Sequence, residues 1–111
     1  GETICISLAV HGETAVPVAV VTVADPASTV VLSFLQTPGT DQMNLFVQNP
    51  LTSFLAYEAY VLPAGTEDRQ YSSTCHIPSH TQSLERWPYL LSEITVTNFR
   101  VLPPSKALIC Q

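Results

Sequence analysis

Short stretches with an apolar residue at every second position recur along this chain. Residues 3–10 alternate branched apolar side chains with small or polar ones, and residues 43–48 and 54–61 show the same period of two. This period places alternate side chains on opposite faces of an extended strand. These stretches therefore predict half-buried β-strands, and the more continuously apolar stretches 18–23 and 30–35 predict central strands of a sheet.

Turn-forming residues separate these stretches at regular intervals. Gly or Pro occurs in each of five short segments, 11–13, 24–28, 37–40, 49–50 and 63–66. Gly readily adopts a positive φ, and Pro fixes the φ that the second position of a turn requires. The segments begin every 12 to 14 residues, which leaves too little chain for a typical helix and its connections. This spacing is typical of successive antiparallel strands.

Two local irregularities refine this prediction. Pro17 cannot donate a hydrogen bond to a neighbouring strand, so we expect it at a sheet edge or a bulge. In the stretch 94–101, apolar residues occupy even positions first and odd positions afterwards. One extra residue in the strand would keep both sets on the same face, so the sequence predicts a β-bulge at Thr97 to Asn98.

The stretch 75–91 interrupts the pattern. Its first half has no periodicity, and its second half has room for at most one helical turn before Pro88. We therefore predict a long loop here. Loops of this length in compact domains are usually functional or structurally tied down, so we expect a site in this stretch.

The composition indicates a folded protein of one domain. The 111 residues are 46% hydrophobic and 12% charged, with a mean hydropathy of +0.24. These values provide enough apolar side chain for a core, and the length predicts a single domain, 1–111, without a separate catalytic or cofactor domain. The longest uncharged apolar stretch, 14–24, is well short of the ~20 residues that a membrane helix needs. No membrane span is predicted.

The charge distribution argues against phosphate-rich partners. Four cationic and nine acidic residues give a formal net charge of −5. The cations are scattered through the second half of the chain, at Arg69, Arg86, Arg100 and Lys106. Nucleic acids and anionic membranes are bound by clustered cations, which this sequence lacks. We therefore expect no nucleic acid and no anionic membrane as partner, which leaves a protein partner open.

The three cysteines are widely separated in sequence. Cys5, Cys75 and Cys110 lie 70 and 35 residues apart, without the close pairs of zinc sites and thioredoxin-like motifs. We predict a Cys75–Cys110 disulfide that fastens the C-terminal segment and leaves Cys5 free or weakly buried. This disulfide, with a first segment that lacks a positively charged leader, predicts a mature form in the periplasm or the extracellular space. A reduced cytosolic protein with three structural cysteines is the alternative.

Cys75, His76 and His80 are the candidate metal ligands. Their spacing suits one ion, but a closed zinc site needs a fourth ligand and usually a second pair at a recognisable spacing. The nearby serines have no nucleophile-elbow motif, and no carboxylate between Asp68 and Glu85 is available to orient a histidine. We therefore predict no catalytic residue, no cofactor and no metal, with a small metal-binding protein as the alternative function.

Trp87, Pro88 and Tyr89 form a rigid amphipathic group within the predicted loop. Aromatic side chains of this kind either anchor a protein partner or cap the open end of a sandwich core. The three residues are therefore the candidate partner-binding residues, and capping is their structural alternative.

The chain as a whole resembles immunoglobulin-like β-sandwiches. The resemblance rests on regular turns, a cysteine near each end, and about seven or eight short strands in ~100 residues. It concerns architecture, because Trp87 lies between Cys75 and Cys110 and not on an early strand. The predicted fold class is thus an all-β, antiparallel, immunoglobulin-like sandwich.

The predicted function is that of a small exported, non-enzymatic binding or accessory protein. Recognition of a protein partner would use the Trp87 loop or strand addition at an exposed sheet edge. A structural subunit of an extracellular assembly is a further alternative.

Overall fold

The computed structural model describes residues 2–11, 14–20, 26–103 and 110. These residues contain eight β-strands and no helix, so the predicted all-β fold class is confirmed. The strands are β1 (Glu2–His11), β2 (Thr14–Val20), β3 (Thr29–Gln36), β4 (Met43–Asn49), β5 (Phe54–Pro63), β6 (Gln70–Ser72), β7 (Thr81–Trp87) and β8 (Leu91–Leu102). No helix in this part of the chain is long and apolar enough to cross a membrane.

All strand pairs are antiparallel, in the order β6-β5-β8-β2-β1-β3-β4-β7. Within the described residues, β2 and β8 pair only at Thr14 and Arg100. The strands therefore divide into a three-stranded sheet, β6-β5-β8, and a five-stranded sheet, β2-β1-β3-β4-β7. The two sheets form an antiparallel sandwich, as predicted, whereas its immunoglobulin-like topology is not confirmed.

The core lies between the two sheets and is built by the alternation seen in the sequence. On β5, Leu55, Tyr57, Ala59 and Val61 point inward, and each exposes 1% of its surface or less. The opposite sheet contributes the inward side chains of its own strands. The buried cluster comprises Ile6, Ala15, Val30, Leu32, Met43, Leu45, Val47, Leu55, Tyr57, Ala59, Val61, Ile77, Trp87, Leu91 and Phe99.

The position of β3 matches its sequence pattern, and that of β2 matches it only at Pro17. The stretch 30–35 belongs to β3, which pairs with both β1 and β4 and is therefore a central strand, as predicted. Pro17 lies opposite Leu8 of β1, on a part of β2 for which no pairing with β8 is found in the described residues. It therefore occupies an edge-like position, where the sheet loses no hydrogen bond although proline has no N–H. The prediction of a central strand over 18–23 is wrong for residues 18–20, which pair only with β1 among the described residues and lie at the end of the five-stranded sheet. Residues 21–23 lie outside the described residues.

The predicted β-bulge in β8 is confirmed. The β5–β8 register shifts between Ala56 and Glu58, so that Tyr57 faces two residues, Asn98 and Phe99. Asn98 adopts a positive φ of 52°, a conformation that asparagine tolerates better than most residues. The extra residue returns Phe99 to the inner face, where its ring centroid lies 6.1 Å from that of Tyr57.

The prediction of a long loop over 75–91 is wrong. Seven of these residues form strand β7, which pairs with β4 along its whole length. The sequence does not indicate this strand because two of its inward side chains, Ser83 and Glu85, are polar. A period-two pattern is recognisable only where the inner face is apolar.

The predicted turns at 37–40 and 63–66 are confirmed. Gly39 and Gly65 have φ values of 76° and 81°, which explains why glycine occupies these positions. After β4 the chain bends at residues 51–53, just beyond the predicted turn 49–50, whereas residues 12–13 and 24–25 of the first two predicted turns lie outside the described residues.

A candidate recognition surface at edge strand β7

Strand β7 ends the five-stranded sheet. It pairs with β4 through seven residue pairs, from Met43 opposite Trp87 to Asn49 opposite Thr81. No other strand among the described residues pairs with it. In an antiparallel ladder, alternate residues direct their N–H and C=O groups to opposite sides, so β7 presents unpaired backbone groups along its open side.

The outward side chains of β7 are exposed. Gln82, Leu84 and Arg86 all face solvent, and Leu84 retains 38% of its accessible surface. Leu84 lies opposite Phe46 of β4, which in turn lies opposite Ser33 of β3. The strand therefore combines an open backbone edge with an exposed apolar side chain near its centre.

The inward side chains of β7 include a carboxylate. Glu85 lies opposite Leu45, one of the most deeply buried residues of β4. Partial burial raises the pKa of the Glu85 carboxyl, and a hydrogen bond donated by the Cys75 backbone N–H partly counteracts this rise. A charge on the inner face of an edge strand discourages indiscriminate strand pairing, because an incoming strand must accommodate it. Glu85 therefore restricts which strand can add to β7.

Tyr57 lies across the core from β7 with its hydroxyl buried. The side chain exposes 1% of its surface, and its hydroxyl is buried beside that of Ser83. Burial, reinforced by the negative charge of Glu85, raises the pKa of Tyr57 to about 12, against 10.0 in an unfolded chain. Tyr57 and the inner face of β7 thus form a polar cluster, Tyr57–Ser83–Glu85, within an otherwise apolar core.

Tyr57→Phe is expected to change the pH dependence of stability. Between pH 10 and 12 the folded protein holds the Tyr57 proton more tightly than the unfolded chain does, so the free energy of unfolding falls as pH rises. The loss for this one group is about 2 kcal/mol over the interval, and it is absent in the variant. At pH 8 the variant is expected to be about as stable as the parent, because it no longer buries a poorly hydrogen-bonded hydroxyl. Urea unfolding at pH 8 and pH 11.5 measures both effects.

Tyr71→Phe provides the matched control, because Tyr71 is half exposed and on the outer face of the other sheet. Its free energy of unfolding is expected to follow that of the parent at both pH values. Parallel pH curves for the parent and Tyr57→Phe would contradict the assignment of a buried, proton-retaining phenol.

The turn that follows β7 carries the predicted partner-binding residues, and the structure separates them. Trp87 exposes 6% of its surface, belongs to the core cluster, and donates a hydrogen bond from Nε1 to Ser72 Oγ at 3.1 Å. Pro88, Tyr89 and Leu90 are exposed. The indole of Trp87 thus closes one end of the core. The residues that remain on the surface here are Pro88, Tyr89 and Leu90.

A hydrogen-bonded turn precedes β7. Asn49 is buried, and its Nδ2 donates to the backbone oxygens of Ser53, Ile77 and Pro78, each at 3.0 Å. Its Oδ1 accepts from the Leu51 N–H at 3.0 Å. One side chain thereby fixes the chain that leads into Thr81.

A groove lies on the outer surface beside the first residues of β7. It has a volume of about 420 Å³ and is lined mainly by neutral side chains, including Val31, Gln48, His80 and Gln82. The groove adjoins the open edge at the end opposite Tyr89. A strand that added to β7 would therefore meet a recess at one end and an exposed aromatic residue at the other.

The predicted Cys75–Cys110 disulfide is present. The two residues also form an isolated antiparallel bridge, and Ile77 pairs in the same way with Leu55 of β5. Thr74 Oγ1 donates to the Tyr57 carbonyl at 2.7 Å. The segment 74–77 thus lies beside β5, in the same position relative to it as β6. Cys110 pairs with this segment at Cys75. The side chain of Cys5 lies outside the described residues.

The candidate metal ligands are not assembled into a site. The sulfur of Cys75 is held in the disulfide. His76 has a lowered pKa because of burial and the nearby Arg100, and His80 is exposed. Within the described ranges no group of three or more His, Cys, Asp or Glu residues is placed to hold a metal ion.

Comparison with models of protein families, with curated proteins and with solved structures finds no match to this chain.

Proposed function

We propose that this protein is a small, non-enzymatic binding module that acts outside the cytoplasm and recognises another protein chain by strand addition at β7. The recognition surface comprises residues 81–90: the open edge of β7 and the exposed turn Pro88, Tyr89 and Leu90. Recognition of this kind takes its affinity from backbone hydrogen bonds and its specificity from the flanking side chains.

The open edge of β7 is the observation that carries the proposal. The strand is seven residues long and is held on one side by β4, so its backbone is already extended before a partner arrives. Such preorganisation reduces the conformational entropy that binding costs. The exposed Leu84 adds apolar surface to the centre of the edge.

Two features of the β7 edge, the inward carboxylate of Glu85 and the turn that carries Tyr89, restrict the sequence of a strand that can bind there. Glu85 disfavours an acidic side chain at the facing inward position, because like charges directly opposite each other are destabilising. The turn at the far end is held by the hydrogen bond from the Ala64 N–H to the Leu90 carbonyl, at 2.9 Å. Tyr89 is therefore presented on a fixed backbone, as an aromatic anchor should be.

Two further features support export and protein recognition. A structural disulfide is stable in the periplasm or outside the cell and is uncommon in the cytosol. The net charge of −5, with cations scattered along the sequence, favours a protein over nucleic acid as partner.

A peptide-display experiment tests the proposal. The folded protein, with its disulfide intact, is immobilised at low density and used to select binders from a random 12-residue peptide library. Selected peptides are expected to shift the backbone amide NMR signals of residues 81–87. Leu84→Lys is expected to weaken their binding about tenfold, because it removes apolar contact from the centre of the edge.

Leu35→Lys is the matched control. Leu35 is 40% exposed on the same sheet, but it lies on the central strand β3, away from the open edge. Its substitution is expected to leave peptide binding unchanged. Selected peptides that bind equally well to both variants, or that shift signals away from β7, would overturn the proposal.

A further inference from the structure

The edge of β7 is complementary to itself, and we infer that its partner is a second copy of this chain, paired antiparallel through β7 about a twofold axis at Leu84. This inference rests on the proposed function, since it requires the same open edge, and it specifies the occupant.

Geometry restricts the registers available to such a pair. A twofold axis perpendicular to the sheet keeps the inner faces of both copies on the same side, so inward residues must face inward residues. Only registers centred on a residue satisfy this condition. Centring on Leu84 pairs all seven residues of β7, from Thr81 opposite Trp87 to Trp87 opposite Thr81.

The charges of the strand fit this register. On the outer face, Leu84 meets Leu84 of the second copy, and Gln82 meets Arg86. On the inner face, Ser83 meets Glu85. Ser83 carries a hydroxyl that can donate a hydrogen bond to the facing carboxylate. No like charges face each other, and the segment carries no net charge in a protein of net charge −5.

Neighbouring registers are less favourable. Centring on Glu85 places the two carboxylates opposite each other on the inner face and pairs only five residues of the strand. Centring on Ser83 also pairs five residues and moves Leu84 opposite Gln82, which removes the apolar contact. Like charges directly opposite destabilise a strand pair, and fewer paired residues make fewer backbone hydrogen bonds.

Charge substitutions at Gln82 test this register. Gln82 is exposed, and in the dimer each copy places its Gln82 opposite Arg86 of the other copy, so the contact occurs twice. Sedimentation equilibrium of the full chain, between 1 and 500 μM, measures the dimer dissociation constant. The parent is expected to dimerise in this range. Gln82→Glu is expected to strengthen dimerisation about fivefold through two new opposite-charge pairs, and Gln82→Arg to weaken it by a similar factor.

The double variant Gln82→Arg with Arg86→Glu is the decisive control. It restores two opposite-charge pairs in the proposed register and is expected to return the dissociation constant to the parent value or below. Residues 82 and 86 lie about 13 Å apart on one strand, so their pairing within a single copy does not explain such a rescue. Circular dichroism and thermal unfolding confirm that each variant is folded.

The outcomes separate this inference from the proposed function. A parent that remains monomeric at 500 μM while selected peptides bind at β7 overturns the second copy as partner and leaves strand addition standing. A dimer whose dissociation constant is the same for the parent, Gln82→Glu and Gln82→Arg overturns the inference. A monomer that also selects no peptide at β7 overturns both.

Discussion

Removal of the Cys75–Cys110 disulfide is expected to lower the free energy of unfolding by about 4 kcal/mol, because the bridge closes a loop with a sequence separation of 35 residues. The bridge restricts the unfolded chain and fastens Cys110 beside segment 74–77 in the folded one. For a domain of this size, such a loss is a large part of the total stability.

Urea unfolding of the oxidised protein and of the variant with both Cys75→Ser and Cys110→Ser measures the effect. Reductant is expected to destabilise the parent to the level of the double variant and to leave the double variant unchanged. Thiol counting by intact mass after alkylation of the native protein is expected to find one free thiol, that of Cys5. Three free thiols in the native protein would contradict the bridge.

Asn49→Ala is expected to destabilise the protein by about 3 kcal/mol, the second-largest effect, because buried backbone groups lose their hydrogen-bond partner. The Asn49 side chain bonds to three carbonyl oxygens and to the Leu51 N–H. Gln48→Ala is the control on the same strand, since the Gln48 side chain is exposed and bonds only to Gln82 in the described part of the chain. It is expected to change stability by less than about 0.5 kcal/mol.

The Asn49 variant also has a local consequence at the recognition surface. The turn from Ile77 to His80 loses its fastening to β4, so the first residues of β7 should open more often. Of the consecutive residues Thr81 and Gln82, one directs its N–H to β4, and hydrogen exchange of that amide is therefore expected to accelerate more than exchange at Leu45 on β4. Equal acceleration of this amide and of the Leu45 amide would show that Asn49 acts on global stability alone.

The features that the sequence predicted well share one property, an apolar inner face. On β5, the inward positions from Leu55 to Val61 alternate without interruption, and the structure buries each of them. The bulge at Asn98 was also recognisable, because it shifts an apolar pattern that resumes on the other parity at Phe99. Where burial selects apolar residues, the periodicity records which way each side chain faces.

The recognition surface was less accessible to sequence reasoning. In β7 the inward positions hold Ser83 and Glu85, whose burial depends on contacts with Tyr57 and the Cys75 backbone, far away in sequence. Trp87 is the one apolar residue among the inward positions Ser83, Glu85 and Trp87. A single aromatic residue followed by a proline is equally typical of an irregular loop, so it does not indicate a strand. Edge status depends on which strands pair, and this long-range property has no local signature.

The three-residue strand β6 and the Cys75–Cys110 bridge have a consequence for how far assembly can proceed. The second sheet ends in a very short strand, and its continuation at Cys75 is already paired with Cys110. Short and covered edges resist the addition of further chains. A molecule with two open edges can add copies at both ends and grow into a fibre, whereas one open edge is saturated by a single partner. By blunting this edge, the short strand and the bridge remove one of the places at which further copies of the chain could add.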